Sequence, residues 1–390
     1  MSYSTVHSNK GGASVAKPSH QLCAESPSQP KYIYVNRATG MPSAWLGSET
    51  WVEFEIPHEI GVWQGTTVSF DITTAGGVGL PPTPFWISRH EVYLGSDLIE
   101  TVYANEHYHE VVGFRSTQDL DQINEAINID TDYSYTASTA SGRYYLPLEA
   151  SLLRAMRPYV KGFDSKFKIR LYFPSSIIAS NGASGPQTAT LDEVKLIVEE
   201  STNAAETAAA HRAHRAGVVD YNVIFRERQQ EAFTFSNSSD QKTVYLRSLK
   251  NDSAGLLVYI TPQQPTTAQL GTRVAIKDLQ VQDEMGGKIT EVLDASFLKP
   301  FIWPSQINSP FPNNSGNDLY LIPFSSDVSS AVKRGCNYGD RPFTSLEKLV
   351  VNPVSATVGN RMITVVSLSY GFITCAQGRH FITPKSTRRA

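Results

Sequence analysis

A chain of 390 residues with 41% hydrophobic and 18% charged residues is longer than one hydrophobic core usually serves, so two domains of similar size are expected. Its 26 Gly, 22 Pro, 18 Tyr and 17 Phe favour strands and turns, giving an all-β class. Three cysteines, Cys23, Cys336 and Cys375, are too few and too scattered for a disulfide framework or a zinc knuckle, and no apolar run is long enough for a membrane-spanning helix.

The net charge of −3 is unevenly spread. Residues 376–390 carry four basic side chains and no acid, and residues 1–31 carry three lysines against Glu25; the ends therefore sum to +6 and leave −9 on the body. Basic ends on an acidic body suit contact with a polyanion such as nucleic acid or lipid headgroups, and suit solvated tails equally well. The N-terminal segment lacks the apolar stretch of a signal peptide, so folding in a reducing compartment is expected. The sequons at Asn237, Asn251 and Asn313 are then chance matches.

Residues 1–30, rich in Ser, Gly, Pro and Lys without hydrophobic period, read as an extended arm. Strands follow. Val52, Phe54 and Ile56 alternate with Glu53 and Glu55, and Val68, Phe70 and Ile72 alternate in the next run, the pattern of strands with one buried face. Residues 85–104 hold two strand-like runs meeting at Gly95-Ser96, a hairpin signal. Residues 104–129 are polar and partly helical by composition. A strand and a short helical turn from Gly142, an alternating strand over 165–174 and another over 190–201 complete the first half.

The run STNAAETAAAHRAHRAG, Ser201 to Gly217, is the clearest helix in the chain. Alanine loses no side-chain entropy, Asn203 with Glu206 offers a capping box, and Gly217 supplies the left-handed stop. His211, Arg212, His214 and Arg215 crowd the end where positive charge meets the helix dipole. Beyond it, strands resume over 218–235, 242–249 and 255–262, a hairpin is expected to turn at Gly286-Gly287, and an aromatic, Pro-rich loop is expected over Lys299–Asn317. Val366, Leu368, Tyr370 and Phe372 alternate near the C-terminal end. Long loops are expected at 73–84, 116–141 and 174–188 as well, and loops of that length usually carry function.

The two halves repeat. Residues 87–103 resemble 276–293, setting Ile87, Val92, Ile99 and Val102 against Ile276, Val281, Ile289 and Val292 with Glu and Thr exchanged; residues 144–174 resemble 319–353, each running aromatic strand, proline, helical turn, strand, proline. Pro147 to Pro174 spans 27 residues and Pro323 to Pro353 spans 30. Two matches in the same order on either side of a helix point to a duplicated module. About eight strands in each module with long loops at set points fits a jelly roll better than an immunoglobulin-like sandwich.

With this arm, YYLPL followed by SKFKIRLYF, a linker, and LYLIPFSSD followed by LEKLVVNP, the chain resembles the double jelly-roll major capsid proteins of tailless icosahedral DNA viruses, the lineage that includes adenovirus hexon. The resemblance implies two tandem eight-stranded jelly rolls: an arm over 1–30, a first jelly roll over 31–201, a linker helix over 202–217, a second jelly roll over 218–378 and a basic tail over 379–390. It implies a homotrimeric, pseudo-hexameric capsomer assembled in the host cytoplasm or nucleus and located in the virion shell. Its expected partners are further copies of itself, minor capsid or penton proteins, and an internal membrane or genome at the basic termini.

Other chemistry fits these residues less well. Glu106-His107-Tyr108-His109-Glu110 is the most metal-like stretch, because two histidines two apart on an extended chain share a face. A cupin would need Gly at Thr101 and Glu near Phe114, so surface or interface histidines are the plainer reading. The acid pairs Asp119/Asp121, Asp192/Glu193 and Glu199/Glu200 fall on opposite faces if they lie on strands, unlike a glycosidase pair. The glycine runs lack the Lys-Ser/Thr of a phosphate loop. Tyr144, Tyr145, Tyr320 and Phe324 suit core or interface packing better than base stacking. No catalytic, cofactor or metal residue is assigned and no enzymatic activity is expected. The alternatives are a two-jelly-roll carbohydrate-active enzyme or binding protein, and a minor vertex or spike component.

Overall fold

A computed structural model describes residues 30–113, 125–128, 139–148, 156–177, 188–236, 241–264, 273–307, 318–334, 337–354 and 359–384. The arm over 1–29, most of the expected loops at 116–141 and 174–188, and Asp119 and Asp121 lie outside the described residues.

The first half contributes β1 (Lys31–Val35), β2 (Thr50–Glu55), β3 (Trp63–Ala75), β4 (Arg89–Leu94), β5 (Asp97–Tyr103), β6 (Gly142–Pro147), β7 (Phe167–Phe173) and β8 (Thr188–Glu200). They pair antiparallel as two sheets, β1-β8-β3-β6 and β2-β7-β4-β5. This is the jelly-roll order. Inward residues of both sheets meet in one core, where Val52, Phe54, Phe70, Trp86, Phe167, Ile169 and Leu171 are fully buried. The two-residue turn at Gly95-Ser96 joins β4 to β5 as expected, with Gly95 at φ +64°, a conformation that favours glycine.

The second half contributes β9 (Val218–Phe235), β10 (Lys242–Tyr245), β11 (Asp252–Pro262), β12 (Ile276–Gln282), β13 (Leu293–Asp294), β14 (Leu319–Pro323), β15 (Arg341–Pro342), β16 (Lys348–Pro353), β17 (Gly359–Ala376) and β18 (Arg379–Pro384). Its main sheets run β9-β17-β11-β14 and β10-β16-β12-β13. Leaving aside β15 and β18, this repeats the first half strand for strand. The duplication read from two short matches is therefore present in the whole topology, and the chain is a double jelly roll.

Three readings need correction. Residues 379–384 form β18, paired with the end of β17, instead of the start of a tail. The stretch from Lys299 begins as helix: α3 (Ala295–Phe297), a π turn (Leu298–Ile302) and α4 (Trp303–Ile307) precede residues outside those described. Both faces of β17 are buried, not one. Ile363 and Val365 enter the second core, Val366, Leu368 and Tyr370 face a third cluster with Trp303, Leu257 and Tyr259, and Ile373 and Cys375 reach the first core. The helices α4 and α5 (Val328–Arg334) supply Trp303, Val328, Ala331 and Val332 to that third cluster.

The linker helix is α2 (Ala204–Arg215). The Asn203 side chain accepts hydrogen bonds from the Ala205 and Glu206 amides at 3.0 and 3.2 Å, satisfying donors that a helix start leaves free. Glu206 is buried, accepts from the Ser201 hydroxyl and pairs with Arg157 at 2.6 Å. Gly217, at φ +120°, ends the helix. The chain then enters β9, which pairs with β17 along its whole length. This ribbon runs from the first core, through Tyr221, Val223, Ile373 and Cys375, into the second, through Phe235, Ile363 and Val365.

The junction between modules and the candidate assembly surface

Where β5 and α1 (Ala104–Gly113) of the first module meet β9 of the second, acids face arginines. Glu100 on β5 and Arg226 on β9 form an ion pair, each side chain 2% exposed. Glu106 on α1 pairs with Arg228 at 3.2 Å, and the Arg228 guanidinium lies 3.8 Å over the Tyr103 ring. Arg273 donates to Asn105 Oδ1 at 2.9 Å and stacks on Tyr259 at 5.1 Å. The side chains alternate along β9, so Arg226 and Arg228 share one face, and that is the face Val366 and Leu368 present on β17.

Burial dominates the electrostatics here. It lowers Arg226 to about 9 and Arg273 to about 10, and raises Glu106 to about 7 although Arg228 opposes the shift. Dehydration disfavours whichever form carries charge. Beside these pairs lie two histidines, His90 on β4 and His107 on α1, with ring centroids 5.0 Å apart. Burial, then His107 and Arg226, hold His90 well below the ordinary histidine value. Among the described residues neither ring nitrogen of His90 has a hydrogen-bond partner, and burial keeps the ring neutral in the junction. An open cleft beside the seam is lined by Thr101, Tyr103, Arg228, Gln230 and Ser248.

The metal-like stretch therefore has a different setting from the one expected. Glu106 to Glu110 lies on α1, not on an extended chain, and residues two apart on a helix point to different sides. His107 is buried, with Nε2 2.6 Å from the Pro147 carbonyl oxygen; the His109 side chain lies outside the described residues. Among the described residues no group of three or more His, Cys, Asp or Glu is placed to hold a metal ion. Asp192 is exposed and Glu193 half-buried beside Lys195 at 2.8 Å, while Glu200 accepts from the Gly61 amide at 2.6 Å. These acids all lie on β8, and of them Glu193 lines a surface cleft with Asp71, Arg143 and Lys195. Tyr320 is a core residue whose hydroxyl accepts from the Ile276 amide at 2.9 Å, Tyr144 packs edge-on against Trp86, and Phe324 packs on Phe343.

The histidine-rich end of α2 is a second seam. His214 Nε2 lies 2.6 Å from the Tyr221 hydroxyl, and its ring packs against Tyr159 and Phe163. A Cβ on Gly162 would fall 2.2 Å from His214 Nδ1, so glycine makes room for the ring. Burial lowers His214. Arg212 and Arg215 remain exposed at the helix end, where they face the dipole.

Sequence reasoning missed the ion pairs because their members lie more than 100 residues apart. Arg226 and Arg228 stand two apart on a face of β9 that also carries Asp220, Asn222 and Gln230, so their spacing gives no local mark of the acids they meet.

No family model matches the sequence, and no curated protein matches it. Solved structures do. The PBCV-1 protein VP54, fitted into a reconstruction of the virophage Sputnik, matches with a TM-score of 0.69 at 12% identity over 92% of this chain and 97% of that one. The major capsid protein of Faustovirus matches at 0.66 with 9% identity over 90% and 91%, and that of mavirus at 0.56 with 12% identity over 91% and 90%. Coverage near the full length of both partners means that the two modules, the linker and their arrangement are shared together. The chain has the double jelly-roll fold that these three structures also have.

Proposed function

We propose that this chain is a structural subunit of an icosahedral virus shell: a capsid protein that assembles as a homotrimer whose six jelly rolls form a pseudo-hexagonal capsomer. One observation carries the reading: a single chain holds two modules of identical strand order in fixed contact through a buried seam. Three such chains place six similar modules around an axis, which tiles a hexagonal neighbourhood with two kinds of contact. The likeness of the whole chain to three capsid structures supports it. In this role the working surfaces are faces that meet other subunits, and no catalytic step is required. The basic ends would meet a polyanion, either lipid headgroups or nucleic acid, and neighbouring capsomers and vertex proteins would be the remaining partners. Native mass measurement of the purified 43.0 kDa chain tests the reading: a stable trimer is expected, and a monomer persisting at micromolar concentration would refute it.

A further inference from the structure

The two modules can be aligned residue by residue through their strand pairing. Val68 lies opposite Leu146 and Leu196 in the first; Leu256 lies opposite Ile322 and Ser367 in the second, where Leu146 and Ile322 each precede the proline that ends its strand. One strand further out, Tyr34 lies opposite Ile197 on β1, and Arg226 lies opposite Leu368 on β9. Tyr34 therefore occupies the position of Arg226, and Tyr32 that of Ile224. The hairpins align in the same way. Val102 pairs with His90 and Leu293 with Leu279, and a helix begins at the second residue after each, Ala104 and Ala295. Glu291 stands at the position of Glu100, Val292 at Thr101, and Phe297 at Glu106.

The junction inside the chain sets β5 and α1 of the first module on the outer face of β9 of the second. The counterparts of both halves exist and are bare. On the first module, the outer face of β1 shows Tyr32 and Tyr34, 57% and 64% exposed. On the second, Val292, Phe297 and Phe301 are 56%, 49% and 63% exposed, with the two phenylalanine rings stacked at 5.4 Å. Both halves have changed chemistry together. Where the internal junction has an acid on α1, the free surface has a phenylalanine; where it has an arginine on β9, the free surface has a tyrosine. Exposed aromatic clusters of this kind mark association surfaces.

We infer that the Val292/Phe297/Phe301 surface of one subunit docks on the Tyr32/Tyr34 face of β1 in a second copy of this chain, repeating between subunits the geometry that joins the two modules within one. The occupant is a second copy because the duplication supplies each half of this contact once per chain, and each chain's own modules are already joined through the other pair of surfaces. Such a contact is head-to-tail, so it closes a ring only when the internal and external steps alternate around one axis. The inference rests on the trimeric shell-subunit reading and adds its interface. It also assigns Glu291, whose side chain is 80% exposed, a place beside Tyr34 of the neighbour, as Glu100 lies beside Arg226.

The test is native mass measurement of four single variants alongside the wild type, with far-UV circular dichroism to establish folding. Tyr34→Glu and Phe297→Glu should each weaken trimer association at least about tenfold, since a carboxylate would be carried into an apolar contact. Tyr34→Arg should associate at least about tenfold more tightly than Tyr34→Glu, because arginine there faces Glu291 as Arg226 faces Glu100. Tyr245→Glu, at an equally exposed aromatic on β10 (48%), should leave the trimer intact. Mixing Tyr34→Glu with Phe297→Glu subunits should yield a one-to-one dimer, as one sound junction remains between them. A trimeric wild type whose Tyr34→Glu and Phe297→Glu variants stay trimeric at wild-type strength would overturn this interface and leave the shell-subunit reading standing. A monomeric wild type would overturn the shell-subunit reading itself.

Discussion

Removing one member of the Glu100–Arg226 pair should be far more damaging than removing both. Each side chain is 2% exposed, so water cannot compensate a charge left behind. Arg226→Met removes the cation that pairs with the buried Glu100 carboxylate, and Glu100→Met removes the carboxylate that pairs with the buried Arg226 guanidinium. Each should cost about 3–5 kcal/mol. The double variant removes both charges and fills the space with apolar stems, and should fall within about 1 kcal/mol of the wild type or exceed it. Urea unfolding followed by circular dichroism measures this, at one fixed protein concentration because assembly shifts apparent stability. A single variant costing less than about 1 kcal/mol, or a double costing more than either single, would show that the seam is not held as a desolvated charge pair.

Other perturbations follow from the same geometry. His90 has a folded pKa below the unfolded 6.5, so its contribution is complete above pH 6.5 and is lost as pH falls, by up to about 1.4 kcal/mol per unit; His90→Leu should flatten that acid limb in a pH series of unfolding curves, and an unchanged limb would count against the buried neutral ring. Glu106 has the opposite sign: raised from 4.5 to about 7, it binds its proton more tightly in the fold, so stability falls as pH rises from 4.5 to 7. Glu106→Gln should therefore gain on the wild type across that interval, and a constant difference between the two would contradict it. Gly162→Ala, with a Cβ 2.2 Å from His214 Nδ1, should destabilise by about 1–3 kcal/mol and recover in part with His214→Ala; equal thermal midpoints for Gly162→Ala and wild type would refute that packing. Trp303→Ala should cost about 3–5 kcal/mol because the indole fills the cluster between α4 and the outer face of the second sheet, and a loss under about 1 kcal/mol would show that α4 does not cover that face.

Local chemistry was legible and long-range chemistry was not. Asn203, the alanine run and Gly217 specify α2 with contacts no more than a few residues apart, so the helix was readable to within a residue. The β4–β5 hairpin was readable because Gly95 supplies the positive φ its turn requires. The repeat was visible at Pro147 and Pro323, which end equivalent strands. The hairpin alignment slipped by one: matching Val102 to Val292 exchanges Glu and Thr, whereas pairing sets Val102 against Leu293 and aligns Glu100 with Glu291. A strand with two pairs of bridges, as β13 is, leaves little periodicity to fix a register. The start of α3 was hidden by the aromatic and proline content of residues 297–304, although Asp294, which accepts from the Ser296 amide at 2.7 Å, is a helix cap encoded locally in Asp-Ala-Ser. The junction was hidden more deeply. Glu100 meets Arg226 only where the two modules pack together, and neither residue carries a local sign of its partner.

The most direct test of the central claim is electron microscopy of the purified full-length protein. Particles with a six-lobed outline and three-fold averaged density, two lobes per chain, are expected. Single two-lobed particles at every concentration examined would contradict the claim that this double jelly roll is a shell-forming subunit.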